Sequence, residues 1–155
     1  MLLRAFVASL HFLALGIGLG AVFVRGLRLR ALVRAPADAA PLPGLFAADS
    51  LWGLAAGLWI VTGLLRAFAG LEKATAFYLR NGFFYVKLGL FAAVFALEIM
   101  PMLTFIAWRR ARATGATPWA TAPIGRLVRV NDIELALVVL IPFAAALMAR
   151  GAWLF

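Results

Sequence analysis

Three ionisable residues lie inside strongly apolar segments, where a charge at the bilayer centre costs at least about 2.5–3.5 kcal/mol. They are His11, Lys87 and Glu98. A histidine can ligate a metal or exchange a proton near neutral pH. A neutral lysine can act as a ligand or a base, and a carboxylate can relay protons. Each of the three therefore needs a function or a partner in the protein interior.

The spacing of these residues places two of them at similar depth in the membrane. His11 lies six residues into the first apolar run, roughly 9–10 Å below its outer end. Lys87 lies four residues past Phe83, roughly 6 Å deep. Lys87 and Glu98 are eleven residues apart, so they share nearly the same helix face. We expect that face to point into a bundle or toward a cofactor rather than into lipid.

Simpler interpretations of the same residues stay open. His11 could donate a hydrogen bond to a neighbouring helix. Lys87 could extend to the lipid headgroups, and Glu98 could sit protonated beside the backbone that Pro101 opens. Arg25 and its neighbouring arginines are expected to form a solvated face. The remaining acids are interpreted as helix caps and dipole partners: Asp49, Asp132 and Glu134.

The composition identifies lipid as the solvent of these segments. Of the 155 residues, 66% are hydrophobic and 14% are charged, and the mean hydropathy is +1.02. A soluble domain has about 45–50% apolar and about 25% charged residues. These values exclude a water-soluble enzyme, a nucleic-acid-binding module and a disordered tail. With no cysteine and one histidine, iron–sulfur clusters and sites built from several histidines are excluded within one chain.

Four apolar runs predict an all-α protein, an integral membrane four-helix bundle that forms one domain over residues 1–155. The helices are expected at about 5–24, 48–66, 83–108 and 132–149. Residues that favour helix starts precede the later three runs. Asp49–Ser50 is expected to cap the second helix, Asn81 the third, and Asn131 with Glu134 the fourth.

Basic residues are distributed unevenly between the two sides of this predicted bundle. Nine lie in the first and third loops and five on the opposite side. This bias predicts that those loops lie in the cytoplasm and that both termini face outward, toward the periplasm if the source is a diderm bacterium. The expected partners are the bilayer, with anionic lipids at the cytoplasmic arginines, and no nucleic acid. A second copy of the chain or a larger membrane complex is the expected protein partner.

Small residues cluster in the first predicted helix beside His11. Gly16 and Gly18 lie five and seven residues after the histidine. Such residues either let helices approach closely or leave room for a flat ligand. Both glycines are therefore candidates for a cofactor-binding wall.

Four segments also carry a resemblance to known proteins: Leu10–Ala14, Asp49–Gly53, Thr62–Arg66 and Phe77–Lys87. They resemble a family of small predicted bacterial inner-membrane proteins of unknown function. The order of a histidine in the first span, Thr62–Gly63 ending the second and Tyr85–Lys87 opening the third is distantly similar to HemJ-type protoporphyrinogen oxidases and CopD-like membrane domains. The chain's single histidine and absent cysteines are a poor donor set for the copper that CopD-like domains suggest.

The HemJ-type resemblance implies haem b as a cofactor. It implies that His11 ligates the haem iron and that Arg66 meets a propionate. The sixth iron position would be open, or filled by Lys87 or by His11 of a second chain. These assignments follow from the resemblance rather than from spacing.

Three functions are consistent with these observations. The first is a membrane b-type haem redox protein, in its concrete form an oxidase of a porphyrinogen or a quinol, with Lys87 as a catalytic group and Glu98 as a proton relay. The second is a non-catalytic integral subunit or assembly factor, in which His11 serves packing. The third is a small transporter or channel component with a polar path along Lys87 and Glu98. A cavity beside His11 would favour the first over the second.

Overall fold

The computed structural model describes all residues from Met1 to Phe155 and contains five α-helices and one short 3-10 turn. The four long helices are each long and apolar enough to cross a membrane. This confirms the expected all-α bundle. The elements are α1 (Leu2–Arg34), α2 (Leu42–Phe68), α3 (Thr75–Leu79), α4 (Gly82–Ala113), the turn Pro118–Ala120 and α5 (Ile124–Ala149).

The long helices extend well beyond the apolar runs, so the predicted bounds were too short. Arg25 and Arg28 lie inside α1 rather than in a loop, and Arg126 and Arg129 lie inside α5. The reason is that arginine ends a hydropathic run without ending a helix, since its helix propensity is among the best. The first connection consequently shrinks to residues 35–41.

The predicted helix starts had mixed outcomes. Asn81 caps α4 as expected, because its side chain accepts a hydrogen bond from the Phe83 backbone N–H at 2.9 Å. The caps expected at Asp49–Ser50 and Asn131 were wrong, since these residues lie inside α2 and α5. Both helices begin earlier, immediately after a proline, whose fixed backbone angle suits a first turn.

Packing between the long helices leaves one side of the bundle open. α1 packs against α2 and α5, and α5 packs against α4, whereas α2 and α4 scarcely touch. The buried apolar residues form three layers along the bundle, centred near Phe105, Val22 and Phe84. Large apolar side chains remain exposed around the outside, as expected for a surface in lipid.

Both chain termini lie at the same end of the bundle, where the C-terminal tail packs against the start of α4. The Gly82 N–H donates to the Trp153 carbonyl at 3.0 Å, and the Phe155 N–H donates to the Arg80 carbonyl at 3.0 Å. A Cβ at Gly82 would lie 2.2 Å from the Trp153 ring, so only glycine fits there. The tail and α3 together cover this end of the bundle.

Candidate functional site

A cavity of about 580 Å³ lies where α2 and α4 diverge, toward the end that carries the termini. Of its 24 lining residues, 17 are hydrophobic, and all four long helices contribute. Leu64, Leu88 and Phe95 line the cavity and are also about half exposed on the outside of the bundle. The cavity therefore opens sideways between α2 and α4, at the level of the lipid.

His11 is buried at the cavity wall, and both of its ring nitrogens are hydrogen-bonded. Nδ1 lies 2.8 Å from the Thr62 hydroxyl oxygen, and Nε2 accepts from the Trp59 indole N–H at 3.0 Å. The Thr62 hydroxyl donates its own proton to the Leu58 carbonyl at 2.7 Å, so it accepts from His11. An indole N–H can only donate. These partners fix His11 as a neutral imidazole with its proton on Nδ1 and its lone pair on Nε2.

Three cations line the same cavity, together with one acid. Arg66 is paired with Glu72, and Lys73 Nζ donates to the Ala149 carbonyl at 2.8 Å. Lys87 contributes the third cation, and its amine forms neither a hydrogen bond nor an ion pair within the chain. The structure thus brings His11, Lys87 and Arg66 to one cavity, and it leaves Lys87 free to meet a ligand.

The segment between α2 and α4 covers the cavity near the membrane surface. Tyr78 of α3 lines the cavity and packs on Phe84, with ring centroids 5.7 Å apart. Burial raises the pKa of the Tyr78 phenol, so it borders the cavity in its neutral form. Lys73 Nζ lies 3.8 Å from the centroid of the Phe77 ring. The part of this segment that lines the cavity therefore includes two aromatic rings, and Lys73 lies against one of them.

The other candidate residues lie outside this cavity. Glu98 accepts from the Trp52 indole N–H at 3.0 Å, in the interior beyond the cavity. Gly18 packs against the same indole, since a Cβ there would lie 3.0 Å from its ring. A Cβ at Gly16 would meet no atom within 4 Å. The shared helix face of Lys87 and Glu98 therefore does not place them in one site, and neither glycine borders the cavity.

A second polar site, which we call the Arg25 cluster, consists of Arg25, Asp49, Glu98, Asn131 and Glu134. Arg25 is fully buried, so the expected solvated face was wrong at this residue. Its guanidinium donates to the Asn131 side-chain oxygen at 2.8 Å, to both Glu98 oxygens at 2.9 Å and to Glu134, and it lies 3.6 Å from Asp49. The interpretation of Asp49 and Glu134 as helix caps was also wrong, because both residues lie inside helices and their side chains face Arg25.

Two residues of the His11 environment were absent from the sequence-based candidates. Trp59 lies among aromatic residues that a membrane bundle uses for interface belts and packing, and nothing in the sequence separates it from them. Thr62 did carry a signal, since Thr62–Gly63 is part of the resemblance. A Cβ at Gly63 would lie 3.3 Å from His11 Cε1, so Thr62 and Gly63 both contact the histidine from α2.

The fold and the two buried sites define a class: a four-span membrane bundle with a cation-bearing apolar cavity that opens to lipid. The chain matches the model of a predicted membrane protein family, DUF2214, over residues 3–152, and it belongs to that family. No curated protein and no solved structure matches the chain.

Proposed function

We propose that the protein binds haem b in the cavity between α2 and α4 and acts as a redox protein of the membrane. The observation that carries this proposal is the joint presence of a histidine, an apolar wall and an excess of cations in one cavity open to lipid. Haem combines an iron atom, a flat apolar ring and two carboxylates. Ligand sites of this kind are apolar, with a few placed polar groups.

The residues around His11 fit the role of an iron ligand. The Thr62 hydroxyl oxygen accepts a hydrogen bond from His11 Nδ1–H, which leaves the lone pair on Nε2 and orients the ring, as outer partners of metal-binding histidines do. The Trp59 indole N–H donates to that lone pair at 3.0 Å. Iron binding by His11 therefore requires that Trp59 give up its hydrogen bond. The structure contains no group of three or more His, Cys, Asp or Glu residues suited to a metal ion, and haem needs none because its ring supplies the other nitrogens.

The cations of the cavity fit the carboxylates of haem. An unpaired ammonium in apolar surroundings is unfavourable until an anion neutralises it, and Lys87 is such a group. Arg66 can exchange Glu72 for a propionate without losing a charged partner. When bound, haem supplies one-electron chemistry at its iron, while the chain sets the ligand and the burial. Oxidation of a porphyrinogen or a quinol is the activity we propose for that chemistry.

The first test is the haem content of the protein purified in mild detergent, measured by the pyridine haemochrome assay and by reduced-minus-oxidised spectra. We expect near-equimolar haem b. His11→Ala should lose the ligated spectrum while still binding iron-free protoporphyrin, and Trp59→Phe should bind haem several-fold more tightly because it frees Nε2. Gly16→Ala, which contacts nothing, is the control. A colourless wild-type protein after growth with haem precursor would overturn the proposal and favour a subunit or assembly role.

Two substitutions distinguish a Lys87 that binds a haem carboxylate from a Lys87 that ligates the iron. Lys87→Arg keeps the positive charge but cannot ligate iron, because arginine stays protonated. Haem binding that survives in Lys87→Arg and weakens at least tenfold in Lys87→Leu, which adds no iron ligand, assigns Lys87 to a carboxylate. A changed reduced spectrum in both variants assigns it to the sixth iron position instead.

We further propose that the bundle lies in the bacterial inner membrane with both termini in the periplasm. Support comes from the basic residues at the end opposite the termini, eight when the buried Arg25 is left out, against five at the end that carries them. The native chain has no cysteine, so single introduced cysteines can report the orientation. An impermeant maleimide should label Phe155→Cys and spare Ala40→Cys in intact cells, and the reverse pattern would refute this orientation.

A further inference from the structure

Every long helix contributes at least one polar side chain to the Arg25 cluster in the interior. Arg25 comes from α1, Asp49 from α2, Glu98 from α4 and Glu134 from α5. The Arg25 and Glu134 side chains are 0% exposed, and those of Asp49 and Glu98 are 10% and 17% exposed. Charges this well buried persist only when each is neutralised.

The charges of this cluster do not balance when all its acids are ionised. Arg109 of α4 donates to the second Asp49 oxygen at 2.7 Å and neutralises that carboxylate from outside the cluster. Arg25 alone then faces the carboxyl groups of Glu98 and Glu134. One of these two acids therefore has no positive counterpart among the groups that surround it.

Hydrogen bonding distinguishes the two acids. Both oxygens of Glu98 accept from the Arg25 guanidinium, and one of them also accepts from the Trp52 indole. Glu134 accepts from Arg25 through Oε2 only, while its Oε1 is buried without a partner. Several hydrogen-bond donors stabilise an ionised carboxylate, whereas a buried oxygen without a partner costs less on a neutral acid than on an anion. The hydrogen bonds therefore favour Glu134 over Glu98 as the group that binds a proton.

We propose that Glu134 is a proton-binding site in the membrane interior. The neighbouring Arg25–Glu98 ion pair keeps its charges while Glu134 gains or loses the proton. A hydronium ion of the solvent gives up the proton and becomes water, and an O–H bond forms on the Glu134 carboxyl group, which passes from an anion to a neutral acid with no electron transferred. The neighbouring amide of Asn131 also has an unpartnered buried Nδ2. The site stands apart from the cavity residues, so it does not depend on the proposed haem.

Infrared spectroscopy of the purified protein in lipid nanodiscs tests this site through the C=O stretch of a protonated carboxylic acid. At neutral pH we expect one such band that shifts in D₂O and disappears in Glu134→Gln. Glu98→Gln should also lose the band, because Glu134 then becomes the sole counter-ion of Arg25 and ionises. Asp132→Asn, which removes an acid whose pair with Arg30 is 43% exposed on both sides, should keep the band.

The converse variant adds an independent outcome. Arg25→Gln removes the positive charge beside Glu98 and Glu134, so both acids should be protonated and the area of the C=O band should about double. Absence of the band from the wild-type protein at neutral pH, or its persistence in Glu134→Gln, would overturn the proposal. Circular dichroism of each glutamine variant establishes that the bundle is folded, and the two single variants at Glu98 and Glu134 suffice if Arg25→Gln does not fold.

Discussion

The two polar sites of this bundle treat buried charge in opposite ways. In the Arg25 cluster the four long helices converge, and the arginine is bound on every side by side chains from the other three. In the cavity α2 and α4 diverge, and Lys87 has no partner within the chain. A buried charge whose partners are all present fixes the packing of helices, whereas one without a partner marks the place where something else binds.

The largest effect should follow from Arg25→Met. Removal of one partner from a buried ion pair costs about 3–5 kcal/mol. Here the Glu98 carboxylate loses its counter-ion and must be protonated to remain buried, and Glu134 loses its hydrogen-bond donor. We expect the unfolding free energy in detergent to fall by that amount. Arg30→Met is the matched control, since its partner Asp132 is 43% exposed and such pairs contribute about 0–1 kcal/mol. Equal losses in the two variants would show that burial of the Arg25 pair is not what stabilises the bundle.

The sequence predicted the fold better than it predicted the sites, for a physical reason. Span number follows from composition and run length alone, since lipid requires internally bonded helices. The ends of helices depend on propensity, and the arginines beyond the apolar runs continue α1 and α5 instead of ending them. His11, Lys87 and Arg66 do meet at one cavity. The apolar context singled out His11 and Lys87, whereas Arg66 was a candidate only through the resemblance.

The Arg25 cluster could not be predicted in the same way. Arg25 and Glu134 are 109 residues apart, and each stands at the edge of an apolar run, where flanking charges and helix caps are common. Only the packing of α1 against α5 shows that their side chains meet. Pairing between distant residues depends on helix rotation and register, which local patterns do not determine.

The contrast between the sites is sharpened by two glycines on their borders. A Cβ at Gly26 would lie 2.6 Å from Asn131 Nδ2, whereas a Cβ at Gly63 would lie 3.3 Å from His11 Cε1. Because Asn131 is held by Arg25, we expect Gly26→Ala to cost about 1–3 kcal/mol of unfolding free energy, as overpacking does. Gly63→Ala should cost less, since a contact of 3.3 Å is relieved by a shift of a few tenths of an ångström. Chemical denaturation of both variants measures the difference, and a larger loss at Gly63 would contradict this account of the cavity.

The smallest effect has the opposite sign and concerns Lys87. Without ligand, its ammonium is unpaired at the wall of an apolar cavity, so Lys87→Met should raise the unfolding free energy by about 1–2 kcal/mol. Lys73→Met is the control, because Lys73 Nζ already donates to the Ala149 carbonyl and its loss should bring no gain. The same Lys87→Met variant should bind an anionic ligand more weakly, which is the expected exchange of stability for function at a binding site. Loss of stability in ligand-free Lys87→Met would mean that the amine has a partner, and the distinction between the two sites would then fail.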